Sequence, residues 1–139
     1  MEFLPYYHCG ILVFDLDAAM ARFARLLGVR FGRTRTLDLA GCDVRGRPGV
    51  GELRYVYSTD RPPYLELVEC QNSGIWGREH GEGLHHIGKY ETDLPARLTE
   101  LLRDGAEPEA VLRVDGILRA IYLQRSAANG VHVELVQAP

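Results

Sequence analysis

The sequence predicts an α+β fold of two tandem β-α-β-β-β modules, whose strands form a curved, partly open mixed sheet around a central site. Three observations predict it. A motif that opens on His and closes on Asp-Leu occurs twice, as His8-Cys9-Gly10-Ile11-Leu12-Val13-Phe14-Asp15-Leu16 and as His86-Ile87-Gly88-Lys89-Tyr90-Glu91-Thr92-Asp93-Leu94. Each copy leads straight into a helical pattern. Each half then ends on a matching strand-like run, Leu65-Glu66-Leu67-Val68 in the first and Val133-Glu134-Leu135-Val136 in the second. Self-similarity at this spacing reads as duplicated supersecondary structure, and it organises every later assignment.

In the first module the strand beginning at His8 gives way to a helix in which Met20, Phe23, Leu26 and Leu27 recur at helical spacing. Asp15 or Asp17 is its capping residue and Gly28 its stop. Strand-like segments follow at Arg30 to Leu39, Glu52 to Ser58 and Tyr64 to Cys70. Between them, Gly41-Cys42-Asp43-Val44-Arg45-Gly46-Arg47-Pro48-Gly49-Val50-Gly51 reads as a mobile connection, because glycine, proline and charge dominate it. In the second module Leu94, Leu98, Leu101 and Leu102 mark a helix around Pro95, which Gly105 ends. Its strands are Ala110 to Val114, Ile117 to Arg125 and Val131 to Gln137. Residues 1–139 are expected to be one domain, with module one at about 6–72 and module two at about 83–139.

Composition narrows the function classes. At 139 residues, 46% apolar and 25% charged, the chain has the make-up of a soluble globular domain. A formal net charge of -3 offers no basic surface for phosphates, so no nucleic-acid partner is expected. No apolar run approaches the roughly 20 residues that span a bilayer, and Met1-Glu2-Phe3-Leu4-Pro5 has no basic flank or secretory apolar stretch. The expectation is a cytoplasmic protein with no membrane partner. Cys9, Cys42 and Cys70, odd in number and widely spaced, read as buried free thiols rather than a disulfide framework or zinc ribbon. No phosphate-cradling glycine loop and no nucleophile elbow is present.

Strand alternation puts His8, Gly10, Leu12 and Phe14 on one face and Cys9, Ile11 and Val13 on the other, which suits packing under the helix. Glu66 lies opposite to Leu65 and Leu67, and Glu134 opposite to Val133 and Leu135. Each carboxylate therefore interrupts an apolar strand, and a carboxylate on a partly buried face is costly unless paired or metal-bound. A His and a Glu from each module make a nitrogen and oxygen donor set that suits one divalent ion, Zn, Ni, Co, Mn or Fe. His80 and His132 read as structural, and Glu69 falls on the opposite strand face, toward solvent. Tyr6, Tyr7, Tyr55, Tyr57, Tyr64, Trp76, Tyr90 and Tyr122 either line a ligand pocket or are ordinary sheet residues.

With these motifs in place, the chain resembles the vicinal oxygen chelate superfamily, the glyoxalase, bleomycin resistance and dioxygenase fold. It is most similar to the glyoxalase-like and methylmalonyl-CoA-epimerase-like members. The resemblance rests on His8 through Gly28 and on Gly81-Glu82-Gly83-Leu84-His85-His86-Ile87-Gly88. It implies that the metal ligands are His8, Glu66, His86 and Glu134, because in the family the His directly before the Ile is the ligand. His85 is then a neighbour. Epimerases of the group commonly carry Gln at the position of Glu66, whereas glyoxalases and other members carry Glu. Lys89 and Glu91 also depart, sitting where the family places apolar residues, which suggests an open face or an interface.

The resemblance implies a metal-dependent epimerase, isomerase or lyase acting on a small-molecule substrate as a homodimer, with Glu134 and Glu66 as catalytic groups beside the metal. One takes a proton next to a chelated carbonyl and the other returns one. The alternative is a metal-free small-molecule binding protein of the drug-sequestering type on the same fold. A ring-cleaving dioxygenase with two His and one Glu on iron ranks third, since many such enzymes have four modules.

Overall fold

The computed structural model describes residues 4–139; Met1, Glu2 and Phe3, part of the segment read above for targeting signals, lie outside the described residues. The chain divides into two compact units. One comprises His8–Leu37 and Glu52–His85; the other comprises the described part of Met1–Tyr7 with Asp38–Gly51 and His86–Pro139. No helix among the described residues is long and apolar enough to cross a membrane.

The unit containing His8 is built from strand β1 (Tyr6–Val13), helix α1 (Leu16–Leu27) and strands β2 (Arg35–Asp38), β5 (Glu52–Tyr57) and β6 (Tyr64–Glu69). Its strand order is β2-β5-β6-β1, with β6 parallel to β1 and antiparallel to β5. Asp15, not Asp17, caps α1: its carboxylate accepts the Ala18 N–H at 3.0 Å. Gly28 ends the helix at φ 69°, a left-handed conformation that costs glycine nothing. The helix buries Leu16 and Ala19 with Val13, Val56 and Leu67, and Ile11, Met20 and Phe23 pack around them. Ile11 and Val13 thus lie under the helix as alternation predicts. Leu26 and Leu27 do not join this core; they are 67% and 61% exposed, one turn beyond the strip that meets the sheet.

The other unit repeats the plan with β7 (Gly83–Glu91), α2 (Leu94–Arg103), β8 (Ala110–Val114), β9 (Ile117–Tyr122) and β10 (His132–Gln137). Its order is β7-β10-β9-β8, with β10 parallel to β7 and antiparallel to β9. Asp93 caps α2 through the Ala96 N–H at 3.0 Å, the counterpart of Asp15. Leu94, Leu101, Ile121 and Leu135 form the core; of these, Leu94, Ile121 and Leu135 match Leu16, Val56 and Leu67 of the first unit in position and kind. The α+β class and the duplicated β-α-β-β-β plan are therefore as the sequence predicts.

Two expectations are corrected here. The segment 41–51 is no loose linker: β3 (Asp43–Val44) and β4 (Arg47–Pro48) form a hairpin, and β3 pairs with β8. Its turn residues Arg45 and Gly46 have φ of 52° and 79°, the double positive φ of a tight hairpin turn. Arg45 N–H donates to the Glu109 carbonyl at 2.8 Å, and its guanidinium grips the Glu109 carboxylate at 2.7 and 2.9 Å. Glycine and proline here serve a tight turn, not mobility. The predicted strand Arg30 to Leu39 is likewise shorter, because Leu39 turns into a 3₁₀ helix capped by Asp38.

Candidate functional site

Each unit places one predicted imidazole beside one predicted carboxylate. In the first, β1 pairs in parallel with β6 so that His8 lies across from Tyr64 and Gly10 across from Glu66. In the second, β7 pairs with β10 so that His86 lies across from His132 and Gly88 across from Glu134. The residue opposite each glutamate is glycine, so no side chain stands between the carboxylate and the imidazole two residues along the neighbouring strand. Glu66 Oε1 is 3.8 Å from His8 Nε2, and Glu134 Oε2 is 3.2 Å from His86 Nε2. All four residues are buried; both histidines are 0% exposed.

An aromatic ring completes each pair. Tyr57, across from Glu66, meets the His8 ring edge-on at 5.3 Å and 82°. Tyr122, across from Glu134, meets the His86 ring at 5.2 Å and 82°. In the sequence these two are among eight scattered aromatics. The signal was present in the repeat, since Arg54-Tyr55-Val56-Tyr57 and Arg119-Ala120-Ile121-Tyr122 end corresponding strands. Trp76 belongs to a buried patch instead, and Tyr7 and Tyr90 stack on each other at 3.7 Å.

The donor set suits a metal. Two buried imidazoles and two buried carboxylates are nitrogen and oxygen ligands of borderline divalent ions, and taking carboxylates out of water is costly without a cation or donors to meet them. Two donors about 2.1 Å from one ion stand about 3 Å apart at a right angle. The 3.2 Å separation of His86 and Glu134 fits this, and the 3.8 Å of His8 and Glu66 corresponds to a wider angle.

The remaining candidates have other roles. His80 is exposed and meets the Gly74 carbonyl at 2.9 Å. His85 is buried on the other face of β7, where its Nε2 donates to the Ile75 carbonyl at 2.8 Å and its ring lies near Trp76. His132 donates from Nδ1 to the Leu123 carbonyl at 2.8 Å and takes the Arg125 Nε–H on Nε2 at 3.2 Å. Burial holds its pKa below the ordinary histidine value, favouring the neutral ring these bonds require.

Glu69 does not simply meet solvent. Its carboxylate accepts the Leu16 N–H at 2.9 Å and pairs with Arg54 at 3.2 Å, satisfying a donor at the start of α1. Lys89 and Glu91 do not make an open face: Lys89 pairs with Glu91 at 3.0 Å, and Arg97 of the helix reaches Glu91 at 3.4 Å. All three cysteines are free, but only Cys42 is buried. Its sulfur lies 3.4 Å from the Arg113 N–H, tying the hairpin segment to β8. Desolvation raises the Cys70 thiol above its usual range, which keeps it in the unreactive form.

Comparison with known proteins bears on the fold and the family. No curated protein sequence matches the chain. Among solved structures, Streptomyces coelicolor methylmalonyl-CoA epimerase in complex with 2-nitronate-propionyl-CoA is 22% identical, with a TM-score of 0.73 and 99% of each chain covered. Methylmalonyl-CoA epimerase from Mycobacterium tuberculosis is 22% identical, TM-score 0.73, over 100% of this chain and 92% of that one. A methylmalonyl-CoA epimerase in complex with methylmalonyl-CoA and an ammonium ion gives 22% and 0.73, over 99% and 96%. At this identity the likeness is one of fold. The family is shown by sequence: residues 7–117 match the profile of one superfamily, and that stretch holds His8, Glu66 and His86 within the duplicated plan. By its sequence and its repeated β-α-β-β-β units, the chain belongs to the glyoxalase/bleomycin resistance protein/dioxygenase superfamily.

Proposed function

We propose that the chain is a divalent-metal-dependent enzyme that moves a proton next to a carbonyl, as an epimerase, isomerase or lyase, with His8, Glu66, His86 and Glu134 holding one ion. The observation that carries the reading is the duplicated buried His–Glu pair, each with glycine across from the carboxylate and tyrosine edge-on to the imidazole. These four are a buried set of donors of the kind that could hold an ion. Zn, Ni, Co, Mn and Fe all suit it. A metal-free sequestering protein has no use for two buried carboxylates at matched positions.

When bound, a divalent ion supplies Lewis acidity for the oxyanion that develops as a carbon next to a carbonyl loses its proton. The rest falls to the chain. Epimerisation needs one proton-carrying group for each face of the carbon. Glu134, as carboxylate, takes the proton, and its C–H electron pair passes toward the carbonyl oxygen. Glu66, on leaving the ion, carries the proton that returns to the same carbon, since a carboxylate bound to the ion is deprotonated. The reverse reaction exchanges the two roles, which the matched environments of the two glutamates favour. Burial strengthens both transfers by keeping bulk water from the reacting atoms.

The acyl-CoA thioesters named with the similar folds supply the first probes. Wild-type protein in heavy water, offered a panel of 2-substituted acyl thioesters and 2-hydroxy and 2-oxo acid derivatives, is expected to exchange the proton at C2 of at least one, read by proton NMR. Glu134→Gln should slow that exchange by roughly 10²- to 10⁴-fold while ligand binding stays measurable. Unchanged exchange in the variant would overturn the assignment.

A further inference from the structure

Arg125 differs from the arginines that the structure pairs with carboxylates. Arg45 grips Glu109, Arg54 meets Asp17 and Glu69, and Arg97 lies against Glu91 and Glu100. Arg125 is half-buried, and its hydrogen bond runs from Nε to Nε2 of His132 at 3.2 Å. That acceptor is neutral. His132 Nδ1 already donates to the Leu123 carbonyl at 2.8 Å, so Nε2 carries the lone pair. The nearby acid, Glu109, lies on the Nδ1 side of the ring, 3.4 Å from it, and is paired with Arg45. Among the described residues no carboxylate oxygen lies within ion-pair distance of Arg125. A half-buried guanidinium is thus held in place by a buried ring that does nothing to neutralise it.

Its position gives that charge a use. His132 and Glu134 are two residues apart on β10, so their side chains share one face about 7 Å apart along the strand. Tyr122 links the same patch, with its ring 5.2 Å from His86 and 6.2 Å from His132. With Nε occupied, the four Nη–H donors remain as a planar fork, the geometry that matches two oxygens of one anion.

We propose that Arg125, oriented by His132, binds an anionic oxygen group of the substrate, a carboxylate or a phosphate, a few bonds from the carbon that Glu134 deprotonates. This rests on the assignment of Glu134 in the preceding section. It narrows the substrates to acids and excludes neutral carbonyl compounds. His132 is the positioning residue: it touches no substrate atom and sets the plane of the guanidinium.

The test uses the full-length protein as purified, with its metal content measured for every variant. The Arg125 Nε–H resonance, identified by its loss in Arg125→Lys, is followed during titration with succinate, inorganic phosphate and, as the neutral control, dimethyl succinate. The proposal expects a saturable shift with succinate, phosphate or both, and none with the ester; which anion shifts it decides between carboxylate and phosphate. In Arg125→Gln, binding followed by calorimetry should weaken about tenfold or more, with Arg125→Lys recovering part of it. Equal affinity in Arg125→Gln, or equal response to the ester, overturns the proposal. The two readings fail separately. Arg125-dependent anion binding in a protein that holds no metal would keep this site and remove the metal enzyme, whereas a full metal complement with Arg125-independent anion binding would do the reverse.

Discussion

Asp15 and Asp17 show how two residues of one type, two positions apart, take different energetic roles. The Asp15 carboxylate accepts a helix N–H that has no partner within the helix, while Asp17 forms an ion pair with Arg54 at 3.1 Å with its own side chain 77% exposed. Capping bonds are worth about 1 kcal/mol and exposed ion pairs less. Asp15→Ala should therefore lower the unfolding free energy by about 1 kcal/mol in urea titration, and Asp17→Ala by under about 0.5 kcal/mol. A larger loss from Asp17→Ala would mean the cap is misassigned. The same contrast separates His132 from His86: both are buried on neighbouring strands, yet one spends its nitrogens on a backbone carbonyl and an arginine, and the other faces a carboxylate.

At the scale of elements, each helix is held by one strip of apolar side chains over strands whose other face carries polar groups. Leu67 sits beneath α1 at 0% exposure, and Leu135 beneath α2 at 3%. Each directly follows a site glutamate, so every strand that presents a carboxylate on one face is anchored by leucine on the other. Leu67→Ala and Leu135→Ala should each cost about 2–5 kcal/mol, measured by thermal or urea unfolding. A loss under about 1 kcal/mol at either position would contradict the packing described. The hairpin of β3 and β4 obeys a different rule, since Arg45, Gly46 and Cys42 secure it by turn geometry and by contacts to Glu109 and Arg113, with little apolar burial of its own.

Across the whole molecule, what was legible in the sequence was whatever the duplication wrote twice: the order of elements, the glycine that follows each helix, and the His and Glu of each half. Alternation alone placed Ile11 and Val13 under the helix and set Leu67 on the face away from Glu66, because period two is an elementary property of strands. What was not legible had no counterpart in the repeat or depended on partners distant in sequence. The hairpin at 43–48 occurs in one half only, and its glycine and proline look like those of a loop until Glu109 and β8 are beside it. Arg125 and His132 meet across a turn, and no periodicity announces that contact. Tyr57 and Tyr122 were written twice, but at the ends of strands where an aromatic residue is ordinary.

Joint ligation of one ion by the two His–Glu pairs is read from metal content. Tag-free protein purified without chelator should carry about one divalent ion per chain by elemental mass spectrometry, as the donor set predicts. Both His8→Ala and His86→Ala, one from each unit, should lose it while remaining folded by circular dichroism. Full occupancy in either variant would contradict joint ligation. No ion in the wild type, even after reconstitution with Zn²⁺, Ni²⁺, Co²⁺, Mn²⁺ and Fe²⁺, would contradict the metal enzyme altogether.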